Sequence, residues 1–182
     1  MDTCKENWTG TTITIFEYLS NHVNKKFNQR KLAKSLSVSP TSIANSLPTL
    51  EKQQFITINR NKEMNLNLIE FNRNNQRAIW QKRAINLKYL YNSGIVETLK
   101  EKYPGTTIIL FGSFAKGEDT YKSDIDIAIV GAKRKKNISL NIFETQMDKS
   151  ININCYKEWK SIHKSLKENL CNGIILSGGI EL

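Results

Sequence analysis

Apolar residues recur at helical spacing through the first third of the chain. Ile15, Phe16, Leu19 and Val23 predict an amphipathic helix within residues 11–27. In "NQRKLAKSLSVS", Leu32, Ala33 and Leu36 mark the inner face of a second helix, closed by a short turn. Ser39 then stands as a cap, with Pro40 at the first position of a third helix. Ile43, Leu47 and Leu50 of that helix point inward, while Thr41, Ser42, Asn45 and Ser46 are expected to face out. The period then changes to two. Ile56 and Ile58, then Leu66 and Leu68, alternate with polar residues on either side of "NRNKE", which predicts a β-hairpin with a basic tip.

Residues 75–92 return to the helical period, with Ile79, Trp80, Leu87, Leu90 and Tyr91 on or near one face, read as a packing stripe. Ser93 and Gly94 interrupt it, and "IVETLKEKYPG" predicts a further short helix. Beyond Gly105 three β-type segments follow: "TTIILF", "DIDIAIV" and "SININCY". The pattern is that of an α+β protein with an N-terminal domain at 1–74, connector helices at 75–104 and a second domain at 105–182.

Composition adds constraints. The chain has 182 residues, of which 39% are hydrophobic, enough for ordinary cores. Cys4, Cys155 and Cys171 lie in no metal-like spacing and do not form a disulfide framework, so a reducing, cytoplasmic location is expected. No apolar run approaches the roughly 18 residues of a membrane span, so no membrane partner is expected. The net charge of +10 is uneven: residues 1–100 carry 15 Lys+Arg against 7 Asp+Glu, and the remainder 12 against 10. This places a polyanion partner, if there is one, with the N-terminal half.

Three helices followed by a hairpin, with "KLAKSLSVSPTSIANSLPTLEKQQFI" at their centre, resemble the winged helix-turn-helix family over about residues 11–72. The resemblance implies duplex DNA as partner, with Thr41, Ser42, Asn45 and Ser46 at the groove and Arg60 and Lys62 on phosphates. Protein docking is the alternative use of such a module. Pro48 departs from the pattern, because proline inside a helix removes a backbone donor and crowds the preceding turn.

The strongest chemical signal lies further on. "TTIILF" runs directly into Gly112-Ser113, where a glycine permits close approach of a ligand and the serine hydroxyl with nearby amides offers donors to an anion. Asp124 and Asp126, one residue apart on a strand, project from the same face, opposite Ile125, Ile127 and Ile129. Two adjacent carboxylates repel, and a divalent cation relieves them; Mg²⁺ takes one or two carboxylates together with substrate phosphates. The plainer alternative is an exposed strand start with Lys122 as partner.

"GSFAKGEDTYKSDIDIAIV" resembles the signature of the nucleotidyltransferase superfamily of DNA polymerase β, in its minimal form, over about residues 105–180. The order of winged helix and transferase domain is similar to archaeal proteins of this group. The resemblance implies a short mixed sheet flanked by helices. It also implies a nucleoside triphosphate substrate with phosphates at Gly112 and Ser113, and Mg²⁺ or Mn²⁺ held by Asp124 and Asp126, the catalytic pair. Active members carry a third carboxylate on a later strand. Here Asn152 aligns to it, an uncharged amide that can ligate a metal but cannot serve as a base. Glu144, Asp148 or a shifted register that brings in Asn154 are the alternatives. The expected function is transfer of a nucleoside monophosphate from a nucleoside triphosphate to an acceptor hydroxyl that the sequence does not identify, a protein being one candidate as partner or acceptor. The alternative is a catalytically inactive DNA-binding regulator, or an antitoxin-like protein, that keeps nucleotide or partner binding.

Overall fold

The fold was analysed in a computed structural model, which describes residues 8–62 and 65–180; Cys4 lies outside them. The chain divides into two compact units between Ala78 and Ile79. Each has its own core, and together their elements make an α+β protein.

The first unit opens with three helices, α1 (Gly10–Asn21), α2 (Gln29–Leu36) and α3 (Pro40–Lys52). Each start is fixed by a polar side chain that accepts a first-turn N–H: Thr9 from Thr12, Asn28 from Lys31 and Ser39 from Ser42. Strands β1 (Ile56–Asn61) and β2 (Leu66–Phe71) pair antiparallel as the hairpin. A bridge between Phe27 and Ile69 ties the hairpin to the stretch between α1 and α2. Ile15, Phe16, Leu19, Leu32, Ile43, Leu50 and Phe55 are almost wholly buried in this unit. The Trp8 ring stands edge-on to Phe16 and Phe55. This is the winged-helix order of elements. Helix α3 continues through Pro48, which lies on the exposed side, as does Ala44, whose carbonyl loses its usual donor.

Helix α4 (Gln76–Asn92) spans the division. Of the expected packing stripe, Leu90 and Leu87 join the core of the second unit, whereas its aromatics do not pack: Trp80 is 61% exposed and Tyr91 44%. The buried line is instead Ala78, Lys82, Asn86 and Leu90, spaced four apart and all 0% exposed.

The second unit holds a four-stranded mixed sheet in the order β5-β4-β3-β6, built from β3 (Thr107–Phe111), β4 (Ile125–Val130), β5 (Ile151–Tyr156) and β6 (Ile174–Ser177). Strand β3 runs antiparallel to β4 and β6, whereas β4 and β5 are parallel and joined by a crossover that includes α7 (Asn141–Met147). One face packs Ile108, Leu110, Ile125, Ile127, Ile129, Ile151 and Ile153 against Leu90 of α4 and Ile95 and Leu99 of α5 (Ile95–Lys102). On the other face Ile109, Ala128 and Val130 meet Ile162 and Leu170, the latter from α8 (Lys164–Cys171). Asp126 occupies this second face at the start of β4, beyond its apolar cover. No helix among the described residues is long and apolar enough to cross a membrane.

Candidate active site

Strand β3 ends at Phe111, and the chain enters the five-residue helix α6 (Gly112–Lys116) with no side-chain cap on its first turn. The leading amides of α6 are therefore not engaged by a capping side chain. Gly112 has φ +76°, and a β-carbon there would lie 2.7 Å from Oδ2 of Asp126. The β3–β4 register explains the proximity, since Phe111 is directly opposite Asp126. Only glycine meets both demands at residue 112 without strain or displacement. Ser113 follows on α6, half-buried.

Asp124 is exposed and immediately precedes β4; Asp126 is half-buried within it. Asn152 is paired in register with Asp126 on the neighbouring parallel strand. Its Nδ2 donates to Asp124 Oδ2 at 3.2 Å and to Asp126 Oδ1 at 3.3 Å. Ile151 and Ile153 are buried, while Asn152 and Asn154 are exposed. Asn154 pairs with Ala128, one step along the sheet from the carboxylates. The alternatives for a third acid have other positions: Glu144 Oε1 accepts the Ile151 N–H at 2.9 Å, and Asp148 is the exposed left-handed residue closing α7. Lys122 places its ammonium over the Tyr121 ring.

The donor set can be tested against a divalent ion on this geometry. Among the described residues no lysine or arginine forms an ion pair with Asp124 or Asp126, so the amide of Asn152 is their shared polar partner. Two unneutralised carboxylates beside an amide fit a hard cation that takes oxygen ligands. Among the same residues no group of three His, Cys, Asp or Glu side chains converges. The residues present thus fit a site of two carboxylates, with Asn152 able to add an oxygen only by turning its amide over.

Sequence reasoning missed a buried polar cluster beside this site. Lys82 and Asp119 form an ion pair at 2.9 Å, and Lys149 pairs with the same carboxylate at 3.1 Å. Asn86 Nδ2 donates to Asp119 Oδ1 at 2.7 Å and to the Phe114 carbonyl at 2.9 Å. Burial lowers the pKa of Lys82, against the raising influence of Asp119. The missed signal was the run Lys82, Asn86 in register with Ala78 and Leu90 on one face of α4.

In the first unit, Thr41 and Asn45 are exposed on α3 and Ser42 is half-buried, with Oγ 2.8 Å from Ser39 Oγ. Ser46 corrects the sequence expectation. It is 5% exposed, and its hydroxyl donates to the Ser42 carbonyl at 3.0 Å, so it faces the core instead of outward. Arg60 donates to Asn65 Oδ1 at 3.0 Å across the hairpin, and Lys62 is exposed near its tip. Arg30, which the sequence pattern did not single out, lines a cleft with Arg60 and Asn67.

Residues 93–176 match the family described as "Nucleotidyltransferase domain". A relative from Methanocaldococcus jannaschii, which carries the provisional name protein adenylyltransferase, is 60% identical over 38 residues; the match takes in 20% of this chain and 38% of that protein's length. Among solved structures, the S. aureus MepR–DNA complex is similar over 53% of this chain and 79% of that one, at 16% identity and a TM-score of 0.40.

Proposed function

We propose that the nucleotidyltransferase domain at residues 93–176 transfers a nucleoside monophosphate, adenylate in the first instance, from its triphosphate to a hydroxyl of a protein acceptor. The choice of adenylate and of a protein follows the name of the M. jannaschii relative. The observation that carries the reading is the placement of Asp126 directly over Gly112, with Asp124 beside it and bridged through Asn152. Phosphates approaching the uncapped first turn of α6 at Gly112 and Ser113 would come up against the two carboxylates. Asp124 and Asp126 would hold Mg²⁺ or Mn²⁺, which supplies neutralisation of charge on the triphosphate. The acceptor oxygen forms a new bond to the α-phosphorus while the bond to the bridging oxygen breaks, and pyrophosphate leaves with that electron pair. Asn152 cannot accept the acceptor's proton, which would pass to solvent water, so this chain relies on binding and orientation more than on general base catalysis.

The first unit would place the enzyme on duplex DNA through Thr41, Ser42, Asn45, Arg60 and Lys62. The basic excess of the first half supports this.

A second reading is favoured by Asn152 itself. With an amide in place of a third acid, the domain would bind nucleotide or partner without transfer, and the protein would act as a regulator or antitoxin-like component. Incubation with α-labelled nucleoside triphosphates, Mg²⁺ or Mn²⁺, and proteins from the same source separates the two. Label on a protein, lost in Asp124→Ala/Asp126→Ala, supports the enzyme; nucleotide binding without label transfer supports the regulator.

A further inference from the structure

Between Gly117 and Asp124 the chain must leave the phosphate turn and arrive on β4 with its carboxylates in place. This stretch has no regular secondary structure, yet it is pinned from inside. Asp119 is 1% exposed. Both its oxygens are engaged, by Lys82, Asn86 and Lys149. Lys149 Nζ also donates to the Thr120 carbonyl at 2.6 Å and to the Ser123 carbonyl at 3.4 Å. Ser123 N–H closes a turn onto the Thr120 carbonyl at 3.1 Å, and Ser123 Oγ accepts the Thr120 N–H at 2.9 Å. On the far side of Asp124, Ile125 N–H donates to the Ser150 carbonyl at 2.8 Å. Asp124 is thus gripped on both sides by two consecutive residues, Lys149 and Ser150, that lead into β5 and so to Asn152.

We infer that Lys149, anchored by buried Asp119, is a positioning residue that fixes where Asp124 stands relative to Asn152 and to the phosphate turn. Two lysines on one buried carboxylate are hard to explain as stability alone, because a single lysine neutralises it and a second adds an uncompensated charge to desolvate. The second lysine has a geometric use. With the Ile125–Ser150 backbone bond, its side chain joins the segment before β4 to the segment before β5, across the crossover that separates the carboxylates from Asn152 in the sequence. The inference rests on the proposed metal and nucleotide site, but its test does not depend on that site alone.

The test compares the full chain with Lys149→Met, which removes the tether and leaves a neutral Lys82–Asp119 pair. Hydrogen exchange should accelerate about tenfold or more at the amides of Thr120, Ser123 and Ile125, with β3 and α8 unchanged. Mn²⁺ affinity, measured by calorimetry with the metal alone, should fall severalfold. Uniform acceleration across the unit, or none in residues 118–126, would overturn the inference, since a lysine that only stabilises the fold loosens everything together. If wild-type protein does not bind Mn²⁺, the metal reading fails while the exchange comparison still decides the positioning role. Should Lys149→Met not fold, Lys149→Arg, which keeps the charge but displaces its donors from both carbonyls, is read by the same exchange pattern.

Discussion

Gly112 and Asp126 meet across the β3–β4 pair so closely that a β-carbon on the first would lie 2.7 Å from a carboxylate oxygen of the second. The glycine is required twice, by its positive φ and by the side chain above it. Gly112→Ala should therefore lower stability by about 1 kcal/mol from backbone strain and also push Asp126 aside. Urea denaturation checks the first effect. Nucleotide-dependent stabilisation, expected to vanish, checks the second.

Ligand that binds only the native state raises the melting temperature. Mg²⁺ with millimolar ATP should do so for the wild type and not for Asp126→Asn. The variant's metal-free melting temperature should stay level or rise, because one of two neighbouring negative charges is gone. An unchanged wild-type melting temperature would count against a working site.

Asn152→Asp adds a third charge in register with Asp126. Repulsion should lower the metal-free melting temperature, Mn²⁺ should restore it, and metal affinity should rise about tenfold or more by calorimetry. Asn154→Asp, opposite Ala128, is the control and should leave metal affinity unchanged.

Lys82 gives a pH signature. Its pKa lies below the ordinary value of 10.5 because burial disfavours the ammonium. Between its folded pKa and 10.5 the unfolded chain binds more protons, so this group makes stability rise with pH; the contribution is complete above 10.5 and is lost as pH falls through the folded pKa. Buried Tyr103 and half-buried Tyr156 have raised pKa values, mainly from desolvation, and oppose it above about pH 10. Denaturation of wild type and Lys82→Met across this window should show a shallower rise in the variant.

For the DNA reading, the expected effects separate by exposure. Lys62→Ala and Arg60→Ala in the full chain should each weaken duplex binding and reduce the slope of log affinity against log salt by about 1. Ser46→Ala should leave binding unchanged while lowering stability, since its hydroxyl is turned into the unit. Titrations at several salt concentrations measure both.

Periodicity made the apolar skeleton legible. The alternation in "SININCY" puts Ile151 and Ile153 inside and Asn152 outside, as the structure has them. The same reasoning failed on α4, where a scan for apolar residues selected Trp80 and Tyr91 and passed over Lys82 and Asn86. Those two are buried because Asp119, 37 residues after Lys82, satisfies them. A polar residue is admitted to a core only by such a partner, and a partner distant in sequence leaves no local pattern. Ser46 failed for a related reason: a hydroxyl that bonds to the carbonyl four residues back satisfies itself within the helix and can face the core.

The parallel pairing of β4 with β5 also governs when the site comes into being. Asp126 and Asn152 become neighbours only after the crossover between them has closed, and such non-local pairings are made late because loop entropy must be overcome first. Before that step the chain carries two aspartates with no amide partner and no fixed spacing to the phosphate turn. Interactions absent from the transition state act on the unfolding rate and leave the folding rate alone. Bound metal and nucleotide should therefore lengthen the lifetime of the folded domain without hastening its formation.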